Sequence, residues 1–295
     1  MKKYRLVENA VRGQPWAILE EKLAVIDELV QFRVDGGTLS AEEIAAKIDA
    51  AREPKVRRVR GNVAIIPIQG VIAQKMDLMT AMSGGTSTEA VGRDIDAAVA
   101  DRSISAIVFD VDSPGGSVYG VTELADKIYN ARASKKIYAV SNSVTASAAY
   151  WLASQAHKIY VTPGGEIGSI GVIAAHTDVS GAEAAAGFKT TIVKAGRFKG
   201  EGNPHEPLGD EAHSAIQKRV DEYYGMFAKA VARGRDTTTS AVRGGYGQGR
   251  MVGADEAVSV GLADGIKTLD ALLSDLAGQS ERASAGVAAA AELIL

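Results

Sequence analysis

Two turns rich in small residues constrain the fold of this chain more than any other feature. The first is Asp112-Ser-Pro-Gly-Gly-Ser117, after the apolar run 106–111, and the second is Ser143-Val-Thr-Ala-Ser-Ala-Ala-Tyr-Trp151, after the run 136–140. Short apolar runs bounded by turn residues are typical of buried strands. In open α/β sheets, chemistry is found where strands end and helices begin. The two turns are therefore predicted to be strand ends that carry a functional site.

The residue types in these turns indicate a nucleophile beside an anion-binding backbone. Ser147 is flanked by alanines, and a small-residue turn that opens a helix exposes unpaired backbone N–H groups. A serine on a sharp strand-to-helix turn presents its hydroxyl at the sheet edge. The pattern predicts a serine hydrolase with Ser147 as its nucleophile. The other serines of the two turns are interpreted as turn residues or helix caps: Ser113, Ser117 and Ser143.

A serine hydroxyl needs a base, and spacing alone leaves two candidates for it. His176 ends an apolar run and is followed by Asp178, so a Ser147–His176–Asp178 triad is one possibility. The alternative is Lys199, in a loop bracketed by glycines. The remaining histidines are interpreted as structural or solvated: His157, His205 and His213.

The order of the elements predicts an α/β fold with an N-terminal helical arm. Residues 1–60 are interpreted as that arm and its linker, with an amphipathic helix over 17–32 and a second helix that starts at a capping box at Ser40. Strands alternate with helices over 61–278, which indicates βαβ units around a mostly parallel sheet. Within this domain we expect a glycine- and methionine-containing loop over 76–86, a strand over 190–194 and a long helix over 210–233. The alanine- and serine-rich residues 279–295 are expected to be a flexible tail.

Composition excludes several classes of function. The net charge of −3 disfavours a general nucleic-acid binder, and the absence of cysteine removes disulfides and thiolate chemistry. The basic N-terminal residues are not followed by the apolar region of a signal peptide, and no apolar run is long enough to span a membrane. The histidines are scattered, and no carboxylate cluster has metal-ligand spacing. We therefore expect a cytoplasmic protein that uses no metal or other cofactor.

Five motifs in a fixed order resemble the signal-peptide-peptidase and phage protein C family of serine peptidases, relatives of the Clp protease and crotonase folds. The resemblance covers residues 63–266 and implies the repeated ββα units of the Clp protease and crotonase folds around a mostly parallel sheet. Its motifs are the two turns, Ile167-Gly-Ser-Ile-Gly-Val172, the Lys-x-Gly-x-x-Lys loop at 194–199, and Gly249-Arg-Met-Val-Gly with the Gly-Leu-Ala-Asp sequence that ends at residue 264.

The resemblance implies a Ser/Lys dyad and assigns a role to each matching position. Ser147 would be the nucleophile, Lys199 the general base and Ser169 the residue that orients the lysine amine. The N–H groups of Gly116 and Ala148 would form the oxyanion hole, with Gly115 shaping the turn. Because a lysine base must have a depressed pKa, we expect Lys199 in a largely apolar pocket with Ser147 and Ser169 as neighbours.

The resemblance leaves the biological setting open. The N-terminal segment resembles phage head maturation proteases, which cut scaffold and portal-associated proteins during capsid assembly. A soluble bacterial enzyme that degrades signal peptides is the alternative. A crotonase-type acyl-CoA enzyme and a non-catalytic assembly protein are further possibilities. A homo-oligomer is expected, and the sequence does not decide whether Lys199 serves the Ser147 of its own subunit or of a neighbour.

Overall fold

The computed structural model describes residues 14–24, 26, 28, 58–75 and 85–278, and they form an α/β fold. Twelve strands and eight helices are named here in chain order. The strands are β1 (Trp16–Ile18), β2 (Arg58–Arg60), β3 (Val63–Gln69), β4 (Ile72–Ala73), β5 (Thr86–Ser87), β6 (Ala106–Ser113), β7 (Gly115–Ser117), β8 (Lys136–Ala146), β9 (Lys158–Val161), β10 (Glu166–Gly168), β11 (Met251–Gly253) and β12 (Gly265–Ile266). The helices are α1 (Thr88–Ala100), α2 (Val121–Ala131), α3 (Ala148–Ala153), α4 (Ser180–Ala185), α5 (Asp210–Gly234), α6 (Thr239–Gly245), α7 (Ala254–Ser259) and α8 (269–278).

The larger sheet is mostly parallel, as the sequence predicts. Its main order is β11-β10-β8-β6-β3-β2, and β9 pairs with both β8 and β12. The long strand β8 changes partner along its length: residues 138–141 pair with β9, and residues 144–146 pair with β10. Only β2 and β11, at the two edges of the main order, are antiparallel to their neighbours. The mixed α/β architecture built on parallel strands is thereby confirmed.

Apolar side chains cover both faces of this sheet because alternate residues of a strand point to opposite sides. In β6, Ile107 and Phe109 face the main core, whereas Val108 faces a smaller cluster that is closed by leucines of α8. On the main face, the Trp151 ring of α3 stacks on Phe227 of α5, with 4.6 Å between centroids. Helix α3, which directly follows Ser147, is thus held deep in the core.

A partly buried ion pair between Arg235 and Asp264 is linked to β9 through the Asp264 carboxylate. Arg235 donates to the Asp264 carboxylate at 2.7 Å, and the Ile159 N–H donates to the same carboxylate at 2.8 Å. Burial pushes the pKa of Asp264 upward, but the hydrogen bonds from Arg235 and Ile159 outweigh burial and leave it below its usual value.

A second, smaller sheet has the order β1-β7-β4-β5 and corrects the prediction for residues 17–32. Residues 16–18 form a strand, and helix begins only at residue 20. Main-chain pairing with β7 outweighs the helical periodicity there, since tertiary contacts override local propensity. Ala17 belongs to the main core, so this part of the predicted arm packs as part of the following domain. The predicted helix from Ser40 lies outside the described residues.

Five other predictions differ from the structure or fall partly or wholly outside the described residues. Residues 58–60, interpreted as linker, form edge strand β2 against β3. The predicted strand 190–194 is an exposed segment without regular secondary structure. Ser143 lies within β8 and does not cap a helix, because that strand continues to Ala146. Residues 76–84 of the predicted loop and residues 279–295 of the predicted tail lie outside the described residues, and Thr86 belongs to β5.

Candidate active site

Ser147 occupies a strained turn between β8 and α3. Its backbone has φ 53° and ψ −116°, a conformation that non-glycine residues rarely adopt. The Ser147 N–H donates to the Gly168 carbonyl at 2.9 Å, and its own carbonyl accepts the Trp151 N–H at 2.9 Å. Because strand pairing on one side and a buried helix on the other fix the turn, the strained conformation is maintained. The sequence prediction of a sharp serine turn at a strand end therefore agrees with the geometry.

The Ser147 side chain is enclosed by its surroundings. The residue is 1% exposed, and its Oγ donates to the Gly171 carbonyl at 3.3 Å. The hydroxyl therefore faces the segment that follows β10, in the Ile-Gly-Ser-Ile-Gly motif.

Gly115 lies beside Ser147, and neither it nor Gly116 can be replaced by a larger residue without displacing backbone. A Cβ on Gly115, which has φ +97°, would stand 3.0 Å from the Ser147 Cβ and 2.3 Å from the Ala17 carbonyl oxygen. A Cβ on Gly116 would stand 1.9 Å from the Ile72 carbonyl oxygen. The glycine turn is thus a place of close backbone approach next to Ser147.

Ser169 lies next to Ser147 because of the register between two parallel strands. Gly168 of β10 pairs with Ala146 of β8. Ser169 directly follows Gly168, and Ser147 directly follows Ala146, so the two serines are neighbours. Ser169 also has a positive φ of 54°, and its N–H donates to the Arg250 carbonyl at 2.9 Å. The residue is 9% exposed. The structure therefore brings Ser147, Ser169 and the two glycines to one end of the sheet.

Lys199 does not join this group within the single chain. It is exposed, and its amine makes no hydrogen bond or ion pair to any residue in the described part of the chain. The backbone N–H of Lys199 donates to the Gly196 carbonyl at 3.1 Å in a local turn. The expectation of an apolar pocket shared with Ser147 and Ser169 is wrong for the isolated subunit, because the segment that carries Lys199 does not fold back onto the sheet.

The alternative triad is not assembled either. The His176 Nε2 lies 3.0 Å from the Asn203 carbonyl oxygen, and the Asp178 carboxylate accepts the Ser180 N–H at 2.9 Å. Neither contact involves Ser147. His157 is structural, as expected: its Nδ1 accepts the Ile137 N–H at 3.0 Å. Burial, together with the charges of Arg132 and Lys136, lowers the pKa of His157.

Lys199 is carried by an exposed arm, residues 174–209, which is distinct from the predicted N-terminal arm. Helix α4 and the loops around it are tied together by local contacts, such as the 2.9 Å pair between His205 Nδ1 and Glu183. The arm exposes large apolar side chains, and Val193 is 95% exposed. The other large apolar residues exposed on it are Phe188, Ile192 and Phe198.

The sequence analysis missed the contact between β1 and the glycine turn. Trp16–Ile18 pairs antiparallel with β7, and Trp16 also bridges to Ile173. The available signal was the apolar sequence Trp16-Ala-Ile-Leu19 directly after Pro15, since a short apolar run after a proline is typical of a strand as well as of a helix.

The comparisons with known proteins agree with the motifs. A profile of Peptidase family S49 matches residues 130–282, more than half of the chain. Head-tail preconnector protein GP5 of Enterobacteria phage P21 is 33% identical over 242 residues, which are 82% of this chain and 48% of that protein. Capsid assembly protease C of Escherichia phage lambda is 30% identical over 237 residues, 78% of this chain and 54% of that protein.

A bacterial relative and a solved structure are also similar. Putative signal peptide peptidase SppA of Enterococcus faecium is 29% identical over 188 residues, 63% of this chain and 54% of that protein. A mutant of ClpP1 from Listeria monocytogenes superposes with a TM-score of 0.44 at 15% identity, over 70% of this chain and 94% of that one. The chain spans about half the length of the curated relatives it matches. Among the described helices, none is both long and apolar enough to cross a bilayer.

Proposed function

The chain belongs to peptidase family S49, and from this membership we propose that it is a serine endopeptidase with Ser147 as nucleophile and Lys199 as general base. The observation that carries the proposal is the strained, buried turn of Ser147, which is held against Gly115 and lies beside Ser169 at paired strand ends. Turns of this kind present a nucleophile where a substrate carbonyl can reach backbone N–H groups.

In the proposed mechanism, the Ser147 Oγ attacks the carbonyl carbon of the scissile peptide bond while the neutral Lys199 amine takes the hydroxyl proton. The N–H groups of Gly116 and Ala148 stabilise the oxyanion of the tetrahedral intermediate. Lys199 then gives the proton to the leaving amine, and an acyl-enzyme remains. Water, deprotonated by the same lysine, hydrolyses this ester and regenerates Ser147. The Ser169 hydroxyl orients the lysine amine.

We further propose that Lys199 acts on the Ser147 of a neighbouring copy. Lys199 lies in the exposed arm, where the apolar side chains of Val193 and Phe198 are 95% and 53% exposed. A second subunit that covers the arm would bury them and would also desolvate Lys199. Burial disfavours the ammonium form, so it would lower the lysine pKa toward working pH.

Four single variants test the dyad: Ser147→Ala, Lys199→Ala, His176→Ala and, as a matched control, Ser143→Ala. Activity is measured on an unfolded protein substrate, together with labelling by a serine-directed fluorophosphonate probe. We expect Ser147→Ala and Lys199→Ala to lose at least about a thousandfold in rate, while the other two variants remain active. Activity that survives Lys199→Ala but is lost in His176→Ala would replace the dyad by the histidine triad. Wild type that neither cuts nor labels would favour the assembly-protein alternative.

Mixing two inactive variants tests whether the dyad forms between subunits. Ser147→Ala and Lys199→Ala are unfolded together and refolded as a mixture. If each site takes its serine and its lysine from different copies, random 1:1 association should restore about one quarter of wild-type activity. A mixture that stays as inactive as its parts would place both residues in one chain. Refolded wild type serves as the control for recovery.

For the biological setting, we propose a role in capsid assembly, within the host cytoplasm or the assembling procapsid. The two phage relatives match about four fifths of this chain, whereas the bacterial signal peptide peptidase matches 63%. A purified scaffold protein of a tailed phage and a free signal peptide are offered separately as substrates. Cleavage of the scaffold protein alone would support this setting, and cleavage of the signal peptide alone would support the bacterial alternative.

A further inference from the structure

The N-terminal strand β1 fills a slot between the glycine turn and the segment after β10. Along one edge, Trp16, Ala17 and Ile18 pair antiparallel with Ser117, Gly116 and Gly115. Along the other edge, the Trp16 N–H and carbonyl exchange two hydrogen bonds with Ile173, both 2.8 Å long. A strand paired on both edges in this way has the arrangement of a peptide added to a sheet by β-augmentation.

The pairing directs the Ala17 carbonyl at the proposed oxyanion hole. The Leu19 N–H donates to the Pro114 carbonyl at 3.0 Å. Because hydrogen-bonded positions alternate along an antiparallel pair, the next such pair is Ala17 with Gly116. The Gly116 N–H therefore faces the Ala17 carbonyl, and Gly116 is one of the two donors proposed for the oxyanion.

The same carbonyl lies close to the nucleophile. A Cβ on Gly115 would stand 2.3 Å from the Ala17 carbonyl oxygen and 3.0 Å from the Ser147 Cβ. The Ala17 carbonyl oxygen and the Ser147 Cβ are therefore close neighbours. Ala17 is fully buried and Ile18 is 4% exposed, so the strand closes this region to solvent. The Ser147 Oγ meanwhile donates to the Gly171 carbonyl.

We propose that Trp16–Ile18 occupies the peptide-binding groove of the active site as an internal, substrate-like strand, with Ala17 in the position of the residue whose carbonyl is attacked. This inference rests on the proposed function and adds an occupant for the groove. Another protein can bind only after the strand leaves or is cut. The small Ala17 side chain further implies that substrates carry a small residue before the scissile bond.

Cleavage of the strand itself would follow the ordinary chemistry of the site. Ser147 would attack the Ala17 carbonyl carbon, the bond from that carbon to the Ile18 nitrogen would break, and the nitrogen would take the proton held by the base. Water would then release residues 1–17 from Ser147. The new N-terminus would be Ile18.

The proposal is tested by Ala17→Arg, which places a long charged side chain at a fully buried position and should drive the strand from the groove. Glu21→Arg, an exposed change just beyond the strand, is the matched control. We expect Ala17→Arg to be labelled by the fluorophosphonate probe, and to hydrolyse unfolded casein, about tenfold faster than wild type, because a larger fraction of molecules has an open groove. Glu21→Arg should match wild type.

A synthetic peptide provides a second measurement on Ala17→Arg. The peptide of residues 14–20 should compete for the vacated groove and slow probe labelling, whereas the same peptide with arginine at position 17 should not. Circular dichroism checks that the variant is folded. If Ala17→Arg does not fold, Trp16→Ala, which adds no bulk, is used instead and should give a smaller acceleration.

The outcomes separate this inference from the proposed function. Wild type that acquires Ile18 as its N-terminus would support the placement directly. A folded Ala17→Arg that is labelled no faster than wild type, insensitivity to the peptide and an uncut wild-type N-terminus would together overturn it. Absence of probe labelling at Ser147 in every variant would instead refute the proposed function.

Discussion

The end of the sheet that holds Ser147 and the arm that holds Lys199 are built in opposite ways. Around Ser147, every neighbouring segment is paired or packed: β8 continues into a buried helix, β10 lies in register beside it, and the glycine turn is pressed against Ile72 and Ala17. The arm is mostly exposed and is held by local polar contacts such as the pair between His205 and Glu183.

The difference shows which residue of the proposed dyad a single chain can position. Ser147 is fixed by the backbone geometry of its own subunit, because strand pairing and core packing leave the turn no alternative. Lys199 has no such support, and its arm exposes apolar side chains that a folded monomer would ordinarily bury. The proposed nucleophile is thus positioned by folding, whereas the proposed base is expected to be positioned by assembly.

The largest contrast between the two regions is expected from adding one methyl group to a glycine in each. Gly116→Ala puts a Cβ 1.9 Å from the Ile72 carbonyl oxygen, so the backbone of the turn must move. Since this displaces a proposed oxyanion donor, kcat/KM should fall at least about a hundredfold. Overpacking should also lower the free energy of unfolding by about 1–3 kcal/mol.

Gly181→Ala, in helix α4 of the arm, is the matched control, because a Cβ there meets no atom within 4 Å. It should leave activity unchanged and should raise the free energy of unfolding by up to about 1 kcal/mol, since alanine favours helix. Equal losses in the two variants would show that the arm is packed as tightly as the site.

A smaller contrast is expected between the Arg235–Asp264 ion pair and the hydrogen-bonded contact between His205 and Glu183 in the arm. Asp264→Asn removes the charge that pairs with Arg235, whose side chain is 8% exposed. We expect the free energy of unfolding to fall by about 3 kcal/mol, the lower end for a buried pair. Glu183→Gln, which weakens the contact with His205, should cost less than about 1 kcal/mol. Urea unfolding of both variants measures the difference, and equal costs would contradict it.

The ion pair between Asp264 and Arg235 also predicts that the stability of the fold depends on pH. The pKa of Asp264 is lowered in the folded protein, so the folded state favours the ionised carboxylate. Its contribution should be complete above the unfolded-state pKa of about 4 and should be lost as the pH falls through the lower folded-state value. The difference in unfolding free energy between wild type and Asp264→Asn should therefore shrink below about pH 4. A difference that stays constant down to pH 2 would contradict this assignment.

The sequence predicts the sheet end well because its signals there are local. Short apolar runs mark β6 and β8, and each small-residue turn follows its strand directly, so Ser147 and the glycines meet through strand pairing alone. The pairing of β10 with β8 was not predictable from spacing, because it depends on the strand order of the folded sheet. The placement of Ser169 therefore rested on the family resemblance.

The sequence misleads where tertiary contacts override local patterns. The periodicity after Ala17 indicates a helix, but pairing with Gly116 and Ile173 makes the first residues a strand. The run that includes Ile192 and Val193 has the composition of a buried strand, yet it is exposed in the single chain. An apolar run predicts that its side chains are buried, but it does not identify the surface that covers them. A neighbouring subunit could cover this run as well as a sheet of the same chain could.

The smallest effect on the monomer, and the sharpest test of the two-region comparison, is expected from Val193→Asp. Val193 is 95% exposed, so an aspartate there should change the free energy of unfolding of the monomer by no more than about 0.5 kcal/mol. If the arm is covered by a second copy, the buried charge should weaken self-association at least about tenfold, measured by light scattering across a dilution series. Activity should fall in parallel, and concentrated protein should regain it.

Val258→Asp, at an exposed valine of α7 outside the arm, should not alter association. Unchanged association and activity in Val193→Asp would mean that this face of the arm stays open to solvent and that Lys199 reaches Ser147 by some other route.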